Sequence, residues 1–165
     1  MVLIVPITAK NVQTFKKVRL EALQDTPTAF GSTYAREREL ADSDWLKRVE
    51  NWSGERGIGF LAMAGDNACG LAGSFLDQEN ASRAQLISMW TAPEYRRQGV
   101  GRLLVSAAAE WARSKGCTAL DLLVTSSNQS AIHFYTTLGF AKTGHSLPYP
   151  NDPALVEHEM SLRIQ

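Results

Sequence analysis

The apolar residues of this chain change their spacing several times, and each change marks an element. Val2 to Ile7 reads as a first strand. Thr8 then caps a helix over Asn11 to Leu23, whose apolar stripe is Val12, Phe15, Val18, Ala22 and Leu23. Asp25-Thr-Pro-Thr-Ala-Phe-Gly31 is turn chemistry. A second helix is expected around Ser43 to Asn51, with Asp44 in its first turn and Trp45, Leu46 and Val49 as its stripe. Three strand-like segments follow, Gly57 to Ala64, Ala68 to Leu76 and Arg83 to Thr91, the first two joined by the hairpin signal Gly65-Asp66-Asn67. Beyond Thr91 the period becomes helical: Val100, Leu103, Leu104, Ala107, Ala108 and Trp111 fall on one face, and Gly116 stands where a C-terminal cap belongs. A buried-looking strand, Ala119 to Val124, a short helix from near Asn128 to Leu138-Gly139, and strands around Phe140 to Leu147 and Val156 to Ile164 complete the chain. The order βααβββαβαββ predicts an α/β or α+β sheet with helices on its faces.

Composition narrows the class. With 165 residues, 44% hydrophobic and 21% charged, and no repeat or linker, the chain reads as one soluble globular domain over residues 1–165. Its 17 basic residues balance 17 acidic ones, which argues against a nonspecific nucleic-acid binder or a polybasic membrane protein. A small anionic ligand stays open, because a local basic cluster is compatible with zero net charge. Cys69 and Cys117 form no C-x-x-C pattern and have no metal-ligand spacing with His133, His145 and His158, so reduced thiols and no metal are expected. The apolar N-terminus lacks the basic stretch of a signal peptide, and no run approaches the roughly 18 apolar residues of a membrane span. A cytoplasmic location and no membrane partner are the expectation.

The informative stretch is Met89-Trp-Thr-Ala-Pro-Glu-Tyr-Arg-Arg-Gln-Gly-Val-Gly-Arg102, which sets Arg96-x-x-Gly99-x-Gly101 between a strand and a long amphipathic helix. The first N–H groups of a helix have no intrahelical partner and lie at the positive end of its dipole, so main-chain donors hold an anion there. Glycine at 99 and 101 would let a phosphate approach without a Cβ in the way. Arg96, Arg97 and Arg102 against Glu94 make the turn locally basic. Other phosphate motifs fail: a P-loop needs Gly-Lys-Ser/Thr where Gly101-Arg102-Leu103 stands, and a dinucleotide fingerprint needs glycine where Leu104 stands. A tight strand-to-helix turn is the plainer alternative. Downstream, in Asn128-Gln-Ser-Ala-Ile-His-Phe-Tyr-Thr-Thr-Leu-Gly-Phe140, Asn128 is a helix N-cap and Ala131, Phe134 and Leu138 are a core stripe; Tyr135 falls outside that account.

Together, Arg96-x-x-Gly99-x-Gly101 and Asn128-x-x-Ala131-x-x-Phe134-Tyr135-x-x-x-Gly139-Phe140, in this element order, resemble the GNAT superfamily of acetyl-CoA-dependent N-acetyltransferases. The resemblance implies a mixed sheet of six to seven strands splayed into a V, about four flanking helices, and acetyl-CoA as co-substrate. By position, Met89, Trp90 and Thr91 would lend backbone groups to the pantetheine arm and an N–H to the acetyl carbonyl. Arg96, Arg97, Gln98, Gly99, Val100, Gly101 and Arg102 would surround the pyrophosphate. Asn128 would hydrogen-bond the pantetheine, and Tyr135 would stand near the sulfur as general acid. The acceptor would be a primary amine of a small molecule or amino acid. A protein N-terminus, a lysine or an aminoacyl-tRNA is the alternative acceptor, and a non-catalytic acyl-CoA sensor is the alternative role. Family habit and the C-terminal strand suggest a homodimer.

The resemblance leaves two gaps. Many members carry a glutamate on the strand before the glycine turn to deprotonate the amine, whereas Ala84-Gln-Leu-Ile-Ser-Met-Trp90 has no carboxylate. Ser88, Glu21, Tyr34, His145 and Glu157 are the candidates left. The acceptor pocket is expected from about Leu23 to Tyr34 and Gly144 to Pro153, with Trp90, Tyr34 and Tyr149 as candidate lining. From Cys117 onward two basic residues face four acidic ones, which favours a cationic acceptor.

Overall fold

In the computed structural model, which describes residues 1–165, the elements run β1 (Val2–Pro6), α1 (Val12–Asp25), α2 (Tyr34–Glu37), α3 (Asp42–Asn51), β2 (Gly57–Ala64), β3 (Asn67–Leu76), β4 (Arg83–Thr91), α4 (Val100–Ser114), β5 (Ala119–Thr125), α5 (Gln129–Thr137), β6 (Ala141–Pro148) and β7 (Val156–Arg163). The strands form one seven-stranded mixed sheet in the order β1-β2-β3-β4-β5-β7-β6. Every neighbouring pair is antiparallel except β4 and β5. That parallel pair brackets α4, the long crossover helix, as the alternation of strand and helical periods requires.

The α1 face predicted from the sequence is buried, with Phe15 and Ala22 fully enclosed. Other stripes are rotated. In α4 the core-facing residues are Val100, Leu104, Val105, Ala108, Ala109 and Ala112, while Leu103 is 44% exposed. The small alanines let the helix lie close on β3 and β4, which turns Leu103 and Trp111 to the flank, where Lys115 covers the Trp111 ring. In α3, Trp45 and Val49 are buried and Leu46 faces outward. The β2–β3 hairpin is tighter than its signal: Ala64 pairs with Asn67, so Gly65, at φ 63°, and Asp66 form a two-residue turn. A short helix, α2, forms between the Asp25–Gly31 turn and α3, where the sequence pattern predicts no element, and it is capped by Thr33 Oγ1, which accepts from the Arg36 N–H.

Candidate active site

β4 and β5 are hydrogen-bonded at Arg83↔Ala119, Ala84↔Leu120 and Gln85↔Asp121 and no further, so their edges beyond these residues diverge. The closed end of the wedge is clamped: Arg83 donates through Nε and Nη2 to both oxygens of buried Asp121, at 2.7 Å each. The open end is a cavity of about 500 Å³, bounded by Phe30, Ile87, Met89, Leu123, Tyr135 and Glu157 among others.

The splay coincides with a bulge. Pairing passes from Leu71↔Trp90 to Gly73↔Ile87, so Ser88 and Met89 together oppose Ala72. Ser88 takes φ 55°, a left-handed conformation that L-residues avoid. Its hydroxyl accepts from Arg19 Nη1 at 2.7 Å. The same guanidinium donates Nε and Nη2 to Glu37 at 3.0 and 2.9 Å, and Arg48 donates to Glu37 at 2.6 Å. Burial alone would raise the Glu37 carboxyl, but the hydrogen bonds and charge of Arg19, then the hydrogen bonds of Arg48 and Ser32, outweigh it and hold the pKa at about 2. Arg19 and Glu37 escaped the sequence reading of the site. The available signal was position: Arg19 follows Phe15 by four residues, which places a charge on the buried stripe of α1.

At the turn before α4, the first helical bond is Leu103 N–H to Gly99 O, and no backbone N–H from Arg97 to Arg102 donates to a protein acceptor. Those donors stand at the N-terminus of a 15-residue helix, a geometry suited to phosphate. The two glycines serve different ends. Gly99 needs its left-handed φ of 87° and has open space where a Cβ would be. Gly101 instead admits Phe134 and Met89, whose atoms would lie 3.0 and 3.1 Å from a Cβ there, so close packing, in addition to any ligand approach, requires it. The Arg96 side chain braces the turn, donating to Asp25 and to Thr91 O, while the Arg97 and Arg102 side chains have no protein partner. Asp25 also accepts from Trp90 Nε1 at 3.0 Å, so Trp90 is anchored to the end of α1 and does not line the cavity.

Asn128 caps α5, its Oδ1 accepting from the Ala131 N–H at 3.2 Å, and its Nδ2 donates to no protein group. Tyr135 is buried between Phe134 and Phe140, lines the cavity, and makes no hydrogen bond through its hydroxyl. Desolvation pushes its pKa upward, so the O–H keeps its proton at neutral pH.

The region where the acceptor pocket is expected is assembled from three tied segments. Tyr149 is buried and the single proton of its hydroxyl is shared between Phe30 O at 2.7 Å and Pro27 O at 3.2 Å, while Asn151 Nδ2 reaches Phe30 O at 3.3 Å. Thr125 Oγ1 donates to Thr28 O. Tyr149 is therefore a strut, and Phe30 is the aromatic side chain from this region that lines the cavity. Of the proposed bases, Glu21 lies in a different groove beside Asp66 and Tyr95, Tyr34 stacks under Arg38, and His145 is exposed on β6. Ser88 and Glu157 line the cavity. The structure has no cluster of His, Cys, Asp and Glu that could hold a metal, and no helix long and apolar enough to cross a membrane.

Residues 19–140 match the model of the Acetyltransferase (GNAT) family. N-acetyltransferase 8B of Rattus norvegicus is 28% identical over 110 residues, 64% of this chain and 50% of that protein. Streptothricin acetyltransferase of Streptomyces lavendulae is 39% identical over 74 residues, 44% of this chain and 39% of that one. The chain thus spans half or less of the length of these relatives. The yncA protein of Salmonella typhimurium, solved with its cofactor acetyl-CoA, superposes with a TM-score of 0.80 at 17% identity, covering 100% of this chain and 95% of that one.

Proposed function

The chain belongs to the GNAT family of acetyltransferases, and from that premise we propose that it moves an acetyl group directly from acetyl-CoA to a primary amine of a small molecule or amino acid. The observation that carries this reading is the wedge between β4 and β5. It has unpaired N–H groups from Arg97 to Arg102 beyond one end of β4 and a lone tyrosine hydroxyl inside. The turn has the donor set and the local positive charge for a pyrophosphate. The unpaired Asn128 Nδ2 suits an amide carbonyl of the pantetheine arm.

The chemistry follows from these groups. Attack of a neutral amine on the thioester puts negative charge on the acetyl oxygen. Backbone N–H groups on the free edge of β4 would receive it, and loss of one such donor costs about 10²–10³ in rate. The sulfur leaves as a thiolate that needs a proton. Tyr135, neutral and unpartnered, is the donor in this reading. Holding both substrates in one cleft supplies the rest by proximity, and no protein nucleophile is needed. A sensor would have no use for an acid beside the sulfur, so Tyr135 favours catalysis. Release of thiol from acetyl-CoA across a set of primary amines tests the reading; acetyl-CoA binding without amine-dependent release for any acceptor contradicts it.

A further inference from the structure

We propose that Glu157 holds the ammonium group of the acceptor in the cleft and takes its proton, so that the acceptor is a cationic primary amine on an apolar body. This rests on the transfer reading above. Glu157 pairs with Thr125, the last residue of β5, and therefore sits where the wedge is widest. It lines the cavity, is partly buried, and its carboxylate makes no hydrogen bond or ion pair with the protein. The other charged group on the cavity wall, Arg19, is already engaged by Glu37 and Ser88.

Nothing else nearby answers the Glu157 charge. Glu159, next on the same face of β7, accepts from Thr143 Oγ1 at 2.8 Å. Asp121, farther along β5, is matched by Arg83, and Arg48 lies behind Glu37. His158 points to the opposite face and shares a 3.1 Å hydrogen bond with Ser146, His145 is exposed on β6, and Tyr135 is neutral. Desolvation raises the Glu157 pKa, as it does for a carboxylate short of partners. Around it Ile87, Leu123 and Leu147, the β6 residue paired with it, remain 39%, 40% and 39% exposed, an apolar flank for the carbon skeleton of an amine.

The step balances. The ammonium gives one proton to the Glu157 carboxylate, and the freed lone pair forms the C–N bond at the thioester carbon. The C–S bond breaks with its electron pair on sulfur, which takes the Tyr135 proton. The excess proton on nitrogen restores the tyrosine, and Glu157 passes its proton to water. Ammonium and thioester thus give amide, thiol and one proton.

The test compares wild type with Glu157→Gln on benzylamine, cyclohexylamine, spermidine and L-lysine, following thiol release against pH, with acetyl-CoA-induced thermal shift as the check on folding and donor binding. The expected result is a fall of about 10²–10⁴-fold in kcat/KM for the best of these amines. The acid limb of the pH profile, displaced above the ordinary glutamate range in wild type, disappears, and the acetyl-CoA shift is unchanged. Methoxyamine, neutral at pH 7, loses less, and Glu157→Asp retains part of the rate. A Glu157→Gln protein with wild-type rates, or with the same acid limb, overturns the assignment and leaves acetyl transfer standing. A wild-type protein that binds acetyl-CoA yet releases no thiol with any amine overturns both.

Discussion

Arg19 Nη1 donates to Ser88 Oγ at 2.7 Å, joining the buried ion-pair network of α1 and α2 to the one residue of β4 held at positive φ. A left-handed serine costs on the order of 1–2 kcal/mol and persists only where its surroundings fix it. Here Arg19 is fixed in turn by Glu37 and by the Phe30 ring, 4.8 Å from its guanidinium carbon. The bulge of β4 against β3, beside the splay from β5, is thus braced from the N-terminal helices.

Arg19→Ala removes that brace and strands Glu37 with Arg48 alone. Breaking a buried pair from one side typically costs about 3–5 kcal/mol. The urea midpoint should fall accordingly at unchanged m-value. A loss below about 1 kcal/mol would mean that the bulge is held by other contacts.

Acid should weaken the fold through the same network. The Glu37 pKa lies at about 2 in the folded chain against an ordinary 4.5, so its contribution is complete above about pH 5 and is lost as pH falls from about 4.5 towards 2. A shift of that size corresponds to about 3 kcal/mol. Asp25, held down by Thr26, Trp90 and Arg96 against the opposing effect of burial, adds in the same direction. Denaturant titrations between pH 2 and 6 on wild type and Glu37→Gln measure it: the variant should be less stable at neutral pH and show a flatter acid dependence.

The two glycines of the turn should respond differently to alanine. Gly99→Ala meets no steric contact but must hold a left-handed φ, at a cost of about 1 kcal/mol, and it turns the N–H groups that follow. A rise of about tenfold or more in the acetyl-CoA Kd is expected, the worth of one charge-assisted hydrogen bond. Gly101→Ala has an ordinary φ and displaces Phe134 and Met89 instead, so its main effect should be on stability. Calorimetric titration and thermal melts of both variants separate these outcomes.

The fold was readable because its elements announce themselves locally. The strands keep their expected positions to within a residue or two, since β1 to β5 carry apolar runs bounded by turn residues and the polar β6 and β7 follow Gly139 and flank the Pro148–Pro153 turn, and Asn128 caps α5 as its side chain predicts. The errors lie where tertiary packing decides between neighbouring faces: Leu103 and Leu46 are apolar yet turn outward because the alanines of α4 and Trp45 of α3 fit the sheet side better. In the site, the turn at Arg96–Gly101 and Tyr135 were visible as local motifs. The Arg19–Glu37–Arg48 network and the left-handed Ser88 were not, because they join residues 11 to 69 positions apart and depend on a register shift no local pattern encodes.

The most direct measurement is the turnover of wild type and Tyr135→Phe with acetyl-CoA and the best acceptor amine, followed as free thiol. The account predicts that Tyr135→Phe, which keeps the buried ring and deletes only its unpartnered hydroxyl, loses about 10²-fold or more in kcat while its acetyl-CoA Kd stays unchanged. Equal turnover in the two proteins would contradict the acid role of Tyr135, and absence of amine-dependent thiol release from wild type would contradict acetyl transfer itself.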